Sequence, residues 1–190
     1  KDGLLKRAIR RMKKRVGDLS EQTINLKSDK INFIINCKMP IEGVQGLKED
    51  ESYTLNVSKE KAVLEANTVY GALRGMETAL QLLFRSNERT FIPTVQIKDN
   101  PRYPYRGLMI DVARHFIPKK VILQNLDAMA AVKLNVLHLH LTDYQGFRVE
   151  SKVFPKLHEE GSNGQYFTQK DITQIVKYAR DRGIRVIPEF

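Results

Sequence analysis

The chain has one cysteine, no tryptophan and four histidines among its 190 residues. The single thiol, Cys37, excludes an internal disulfide, and its apolar setting (INFIINC) predicts a small buried side chain. One cysteine does not separate a reducing compartment from an oxidising one. Histidine is too sparse for an obvious metal centre. His138 and His140 share one face of a strand-like run, but zinc needs a further ligand and no cysteine is near. No metal and no cofactor are expected. Long apolar runs are missing as well: nothing approaches the roughly 18 residues of a membrane span.

Acidic residues are the other shortage. Lys and Arg number 32 against 22 Asp and Glu, a net charge of +10. Residues 1–15 alone hold eight cations against Asp2, so the rest of the chain carries only +3. A basic helix over 3–16 also presents Leu4, Leu5, Ala8, Ile9 and Met12 as an apolar stripe. Docking of that stripe on the protein body, with a solvated basic face, is preferred over contact with a membrane or an acidic surface. No aromatics interleave with the charges, which argues against single-stranded nucleic acid. The chain opens on Lys1 rather than Met, leaving the question of an upstream signal peptide open.

What is present is ordinary globular material, 42% apolar and 28% charged, enough for one domain or two small ones. The first hundred residues read as an α+β unit. Strand-like runs at 30–37, 52–57 and 61–66 precede a helix over 68–84, and a last short strand covers 94–98. The stretch 39–50 between the first two strands is turn-rich. In the helix, Val69, Ala72, Leu73, Met76, Leu80 and Leu83 share a face. Gly71 and Gly75, four apart, make a groove for close approach to a sheet. The segment 99–105 (DNPRYPY) is the candidate domain boundary.

From there strand and helix alternate, which implies an α/β unit with a parallel sheet. Apolar runs at 107–114 (GLMIDVAR), 135–143 (NVLHLHLTD) and 183–190 (GIRVIPEF) each meet a charged residue. Arg114, Asp143 and Glu189 occupy the carboxyl ends, where such sheets place their chemistry. Asp111 reads as mid-strand and in need of a neighbouring base. Pro118 starts a helix with Ile122, Leu126, Met129 and Ala130 on one face. Thr168 and Asp171 form a capping-box start to another, with Ile172, Ile175, Val176 and Ala179 as its buried stripe and Gly183 as its stop. The long connection 144–167 between them is where function is expected. Three strands cannot close a barrel of about eight, so the chain reads as the opening of an enzyme without its remainder.

These residues resemble a known family. YRGLMIDVARHFIP, LDAMAAVKLNVLHLHLTDYQGFRVES, FPKL and YARDRGIRVIPEF are similar to the first part of the catalytic barrel of family 20 glycoside hydrolases, the β-N-acetylhexosaminidases. ESYTLNV and EANTVYGALRGMETALQLL resemble that family's small α+β domain. The resemblance implies an N-terminal domain over 1–100 and, over 101–190, the first three βα units of an incomplete TIM-type (β/α)8 barrel. It implies a glycosidase that removes terminal N-acetylhexosamine, using the substrate's own acetamido oxygen as nucleophile.

Position by position, the resemblance makes Arg114 the residue that holds hydroxyls of the terminal sugar, a task suited to a forked donor. It makes Asp143 a polar support of the same site. His115, His140 and Glu189 are expected to support them, with Glu189 a buried, hydrogen-bonded carboxylate rather than the acid. Tyr144 stands where relatives commonly carry a second acidic residue, and Phe147 where many carry Trp. The family's catalytic Asp–Glu pair corresponds to no residue of this chain, so the 190 residues alone are expected to be inactive. A non-catalytic remnant that binds sugar weakly, or serves assembly, is the alternative. The unfinished sheet edge predicts a homo-oligomer. The resemblance leans towards a periplasmic or secreted location and leaves the cytoplasm open.

Overall fold

The computed structural model describes residues 3–20, 32–39, 45–86 and 89–190. Lys1, Asp2, the start of the first expected strand and residues 40–44 of the turn-rich stretch lie outside them. The chain forms two compact units, the first ending at Pro104, the second made of residues 105–190 with a short stretch around Gln45.

The first unit begins with helix α1 (Leu4–Ser20) and strands β1 (Asn32–Met39), β2 (Tyr53–Val57) and β3 (Lys61–Thr68). Helix α2 (Val69–Gln81), the hairpin strands β4 (Phe84–Ser86) and β5 (Arg89–Phe91), and β6 (Val95–Asp99) complete it. The sheet order is β1-β3-β2-β6, with β1 parallel to β3 and the other pairs antiparallel. Alternation in β2 and β3 puts Tyr53, Leu55, Val57, Ala62, Leu64 and Ala66 on one buried face. Helix α2 covers it with Leu73, Met76 and Ala79. Each such aliphatic side chain contributes about 1.5–3 kcal/mol by leaving water.

Gly71 and Gly75 perform the expected packing role. A β-carbon at Gly71 would run into the Ser52 carbonyl oxygen, and one at Gly75 into the Leu64 methyl. Helix α1 docks its stripe on this core, with Ala8 buried and Leu4, Leu5, Ile9 and Met12 packed against it. Arg15 reaches Glu77 of α2. Two expectations change. Helix α2 stops at Gln81 because the chain turns into a hairpin in which Phe84 stacks on Phe91 at 5.6 Å. Cys37 is half-buried rather than buried, because β1 is an edge strand with cover from fewer sides.

The second unit runs β7 (Gly107–Asp111), α3 (Lys119–Ala131), β8 (Val136–His140), β9 (Thr142–Asp143), β10 (Gly146–Phe147), α4 (Lys156–Glu159), α5 (Gln169–Arg180) and β11 (Arg185–Glu189). Strands β7, β8 and β11 form a parallel sheet with β8 in the middle. Leu108, Ile110, Leu137, Leu139 and Val186 pack with Ile122, Leu126 and Met129 of α3 and Ile175 and Ala179 of α5. Thr168 and Asp171 form the expected capping box. The helix closes in a Schellman pattern at Gly183 (φ 65°), with the Ile184 amide donating to Ala179 O. Val176 was placed on the buried stripe but is 45% exposed. It follows Ile175 directly, and a helix turns each residue about 100° from the last.

The fold is thus α/β with mixed sheets. The connection 144–167 is not a bare loop: β9 and β10 form a small hairpin, α4 follows, and Val149 bridges Phe167.

Candidate functional site

The parallel register decides which side chains meet. Asp111 pairs with His140, and His140 with Glu189, so one row crosses the sheet at its carboxyl ends. Met109, His138 and Ile187 form the row before it on the same face, since side chains alternate along strands. The strands stop earlier than the apolar runs suggest. Asp111 ends β7 rather than lying mid-strand, because its carboxylate accepts the amides of Ala113 and Arg114, both at 3.0 Å, and turns the chain out of the ladder. Arg114 and Asp143 each lie three residues beyond the ladder end.

These residues form one continuous cluster. Arg114 Nη1 donates to Asp111 Oδ2 at 2.5 Å, and Arg114 Nη2 pairs with Asp143 Oδ2. Asp143 Oδ2 lies 3.2 Å from His140 Nε2, and His140 Nδ1 lies 2.7 Å from Glu189 Oε2. The same Glu189 oxygen meets His138 Nε2 at 2.8 Å. His140 therefore faces a carboxylate on both ring nitrogens, which only the doubly protonated imidazolium can serve as donor on both sides.

Charge follows from these contacts. The His140 pKa is raised, first by the bond to Glu189 and then by Asp143, against opposition from burial. Glu189 is lowered, chiefly by His140. Asp143 is lowered by the Tyr144 amide first and His140 next. For Asp111 burial is the largest influence and acts upward, but the amide and guanidinium of Arg114 and the Ala113 amide outweigh it and leave the pKa lowered. Arg114 is held even more firmly cationic, by Asp111 and then Asp143.

Arg114, Asp143, His140 and Glu189 are thus brought together, with Asp111 and His138 as members that the sequence reading left out of the site. Alternation along β8 was the available signal for His138; the Asp-x-x-Arg spacing was the one for Asp111. His115 is exposed, and Arg114 takes its hold from Asp111 and Asp143 instead. Glu189 is 44% exposed at its side chain, not buried, because β11 is an edge strand. Tyr144, at the tip of the β9–β10 hairpin, is 96% exposed, while its amide donates to Asp143 Oδ1 at 2.7 Å. Phe147 is partly buried against the core, its ring 6.3 Å from that of Phe190.

Two family models match the chain: "Glycosyl hydrolase family 20, catalytic domain" over residues 103–190 and "beta-acetyl hexosaminidase like" over residues 5–82. The chain belongs to glycosyl hydrolase family 20. The whole strand-end cluster falls inside the segment matched by the family's catalytic domain. Beta-hexosaminidase subunit beta of Mus musculus is 47% identical over 164 residues, covering 85% of this chain and 31% of that protein. The chitobiase of Flavobacterium johnsoniae superposes with a TM-score of 0.92 at 42% identity, covering all of this chain and 30% of its own. An exo β-N-acetylglucosaminidase of Vibrio harveyi, solved with N-acetylglucosamine, gives 0.81 at 31% identity over 98% of this chain and 31% of that one. The chain therefore spans about a third of the length of the family 20 proteins it matches.

Proposed function

We propose that the strand-end cluster is the sugar-holding wall of a β-N-acetylhexosaminidase site. In this reading β7, β8 and β11 are the first three strands of a (β/α)8 barrel, and the residues before about 100 are the family's small α+β domain. The observation that carries the reading is Arg114, 57% exposed yet anchored on two carboxylates. Such a guanidinium is preorganised, and its remaining donors can hold two neighbouring sugar hydroxyls without first being ordered. Asp143 and Asp111 add acceptors beside it. Carboxyl ends of parallel strands are where barrels of this kind carry out chemistry.

In the full-length enzyme the acetamido oxygen of the terminal sugar attacks the anomeric carbon, one carboxylate orients the acetamide, and a carboxylic acid protonates the departing oxygen. The acid must hold its proton near neutral pH, which takes a raised pKa. Asp111, Asp143 and Glu189 are all lowered. None of the three suits that role, and Glu189 in particular accepts from His138 and His140. In this reading the cluster supplies binding groups rather than the acid, and the 190 residues alone are expected to be inactive. The same cluster also accommodates a non-catalytic sugar-binding or assembly module.

A chromogenic N-acetylglucosaminide tests this. The purified 190-residue chain should release no chromophore; turnover, with contaminating enzyme excluded, would overturn the claim that it lacks the catalytic pair. The edges β7 and β11 and the half-open face carrying Met109 (53% exposed) and His138 call for cover. We infer a homo-oligomer that supplies it, and light scattering that finds a stable monomer would contradict this.

A further inference from the structure

We propose that Arg148 is a positioning residue for this site, fixing the Arg114 loop against the hairpin that carries Asp143. The inference rests on the sugar-site reading above. Arg148 follows β10 directly and is 5% exposed. Its guanidinium has five N–H donors, and five bonds leave it, every one to a backbone carbonyl. Nε and Nη2 both donate to Ala113 O, at 3.1 and 3.0 Å. Nη2 also reaches Gln145 O at 3.3 Å. Nη1 takes Ser162 O at 2.7 Å and Gln165 O at 3.3 Å.

Those carbonyls belong to three separate segments. Ala113 immediately precedes Arg114. Gln145 is in the turn of the hairpin that begins with Thr142 and Asp143. Ser162 and Gln165 lie in the loop before α5. One buried cation therefore ties the backbone beside Arg114 to the backbone beside Asp143. Its own main chain adds to the tie, the Arg148 amide donating to Leu141 O at 2.8 Å and its carbonyl accepting from Phe167 at 2.9 Å. Charge-assisted bonds to several carbonyl dipoles satisfy the buried charge, and a lysine, with a single ammonium and no planar fork, cannot reproduce them.

Gly146 gives an independent mark of the same device. A β-carbon there would strike the Arg148 guanidinium at Nε, Cζ and Nη2. The glycine is the space in which the fork lies, and alanine at 146 would displace the fork while keeping its charge.

The readout is the His140 ring, which meets Glu189 from β11 and Asp143 from β9, with Asp111 of β7 beside it in the row, His138 on its own strand and Arg114 across Asp143. If Arg148 positions the hairpin, Arg148→Met and Arg148→Lys should both lower the NMR titration midpoint of His140 in the folded protein. Both should broaden the Arg114 Nε–H signal and weaken N-acetylglucosamine binding by roughly tenfold or more. Loss of packing alone would lower the unfolding midpoint without moving the His140 titration. A folded Arg148→Met protein with an unchanged His140 midpoint and Arg114 signal overturns the proposal. If that variant does not fold, Gly146→Ala decides: a lowered midpoint supports positioning, and an unchanged one overturns it. A wild-type chain that binds no N-acetylglucosamine removes the sugar reading, while the His140 midpoint still decides the role of Arg148.

Discussion

Both units of the molecule contain an arginine held by carboxylate, and the two are used in opposite ways. In the first unit Arg74 pairs with Glu51 at 3.0 Å with side chains 1% and 5% exposed. In the second, Arg114 sits between Asp111 and Asp143 with its side chain 57% exposed. A buried pair is locked by its surroundings and is costly to break. An exposed one adds little to stability, since water screens it. The first unit thus spends its polar chemistry inside the fold, as it does in Tyr53, whose hydroxyl contacts Thr78 at 2.5 Å and Asp99 at 2.8 Å and whose pKa is pushed up to about 12, mainly by burial. The second unit buries Arg148 but leaves the Arg114 cluster at the strand ends open to solvent.

The comparison can be broken most forcefully in the first unit. Glu51→Ala removes the Glu51 carboxylate from the buried Arg74 charge and should lower stability by about 3–5 kcal/mol in urea unfolding. A loss under 1 kcal/mol would erase the distinction between the two arginines. A smaller effect, of opposite sign, is expected at the end of α3. Lys133 has φ 61° while its amide and that of Leu134 close the helix onto Ala130 and Met129. Glycine adopts that conformation without the side-chain penalty, so Lys133→Gly should gain about 1 kcal/mol.

The smallest effect is in the pH dependence of the strand-end cluster. His140 is raised, so its contribution is complete below its ordinary value of 6.5 and is lost as pH rises through the higher folded value. Asp111, Asp143 and Glu189 are lowered, so theirs is complete above the ordinary carboxylate range, about 4, and is lost as pH falls through the lower folded values. The cluster is therefore firmest between about pH 4 and 6.5. His140→Gln should remove the decline on the alkaline side in unfolding measurements and shrink the acid side, where Glu189 owes its lowering chiefly to His140, while the part from Asp111 remains.

Much of the fold was legible because periodicity reports burial. Alternation in 53–57 and 61–66 marked a sheet face, and Thr168 with Asp171 marked a helix start, since both signals are local. The strand ends were not legible to the residue. An apolar run does not say where the ladder stops, and here Asp111 stops it by taking two amides. Arg114, Asp143 and Glu189 were readable from their charge after apolar runs. The row Asp111–His140–Glu189 was not, because register is a property of three strands together. Arg148 carried no signal at all: its partners are backbone carbonyls, which every sequence contains.

One measurement bears most directly on the proposed sugar site: an NMR titration of the 190-residue chain with N-acetylglucosamine. The expected result is saturable movement of the Arg114 Nε–H and His140 ring signals, abolished by Arg114→Met in a protein whose other resonances are unchanged. Binding that leaves those signals still, or that survives Arg114→Met undiminished, would contradict it.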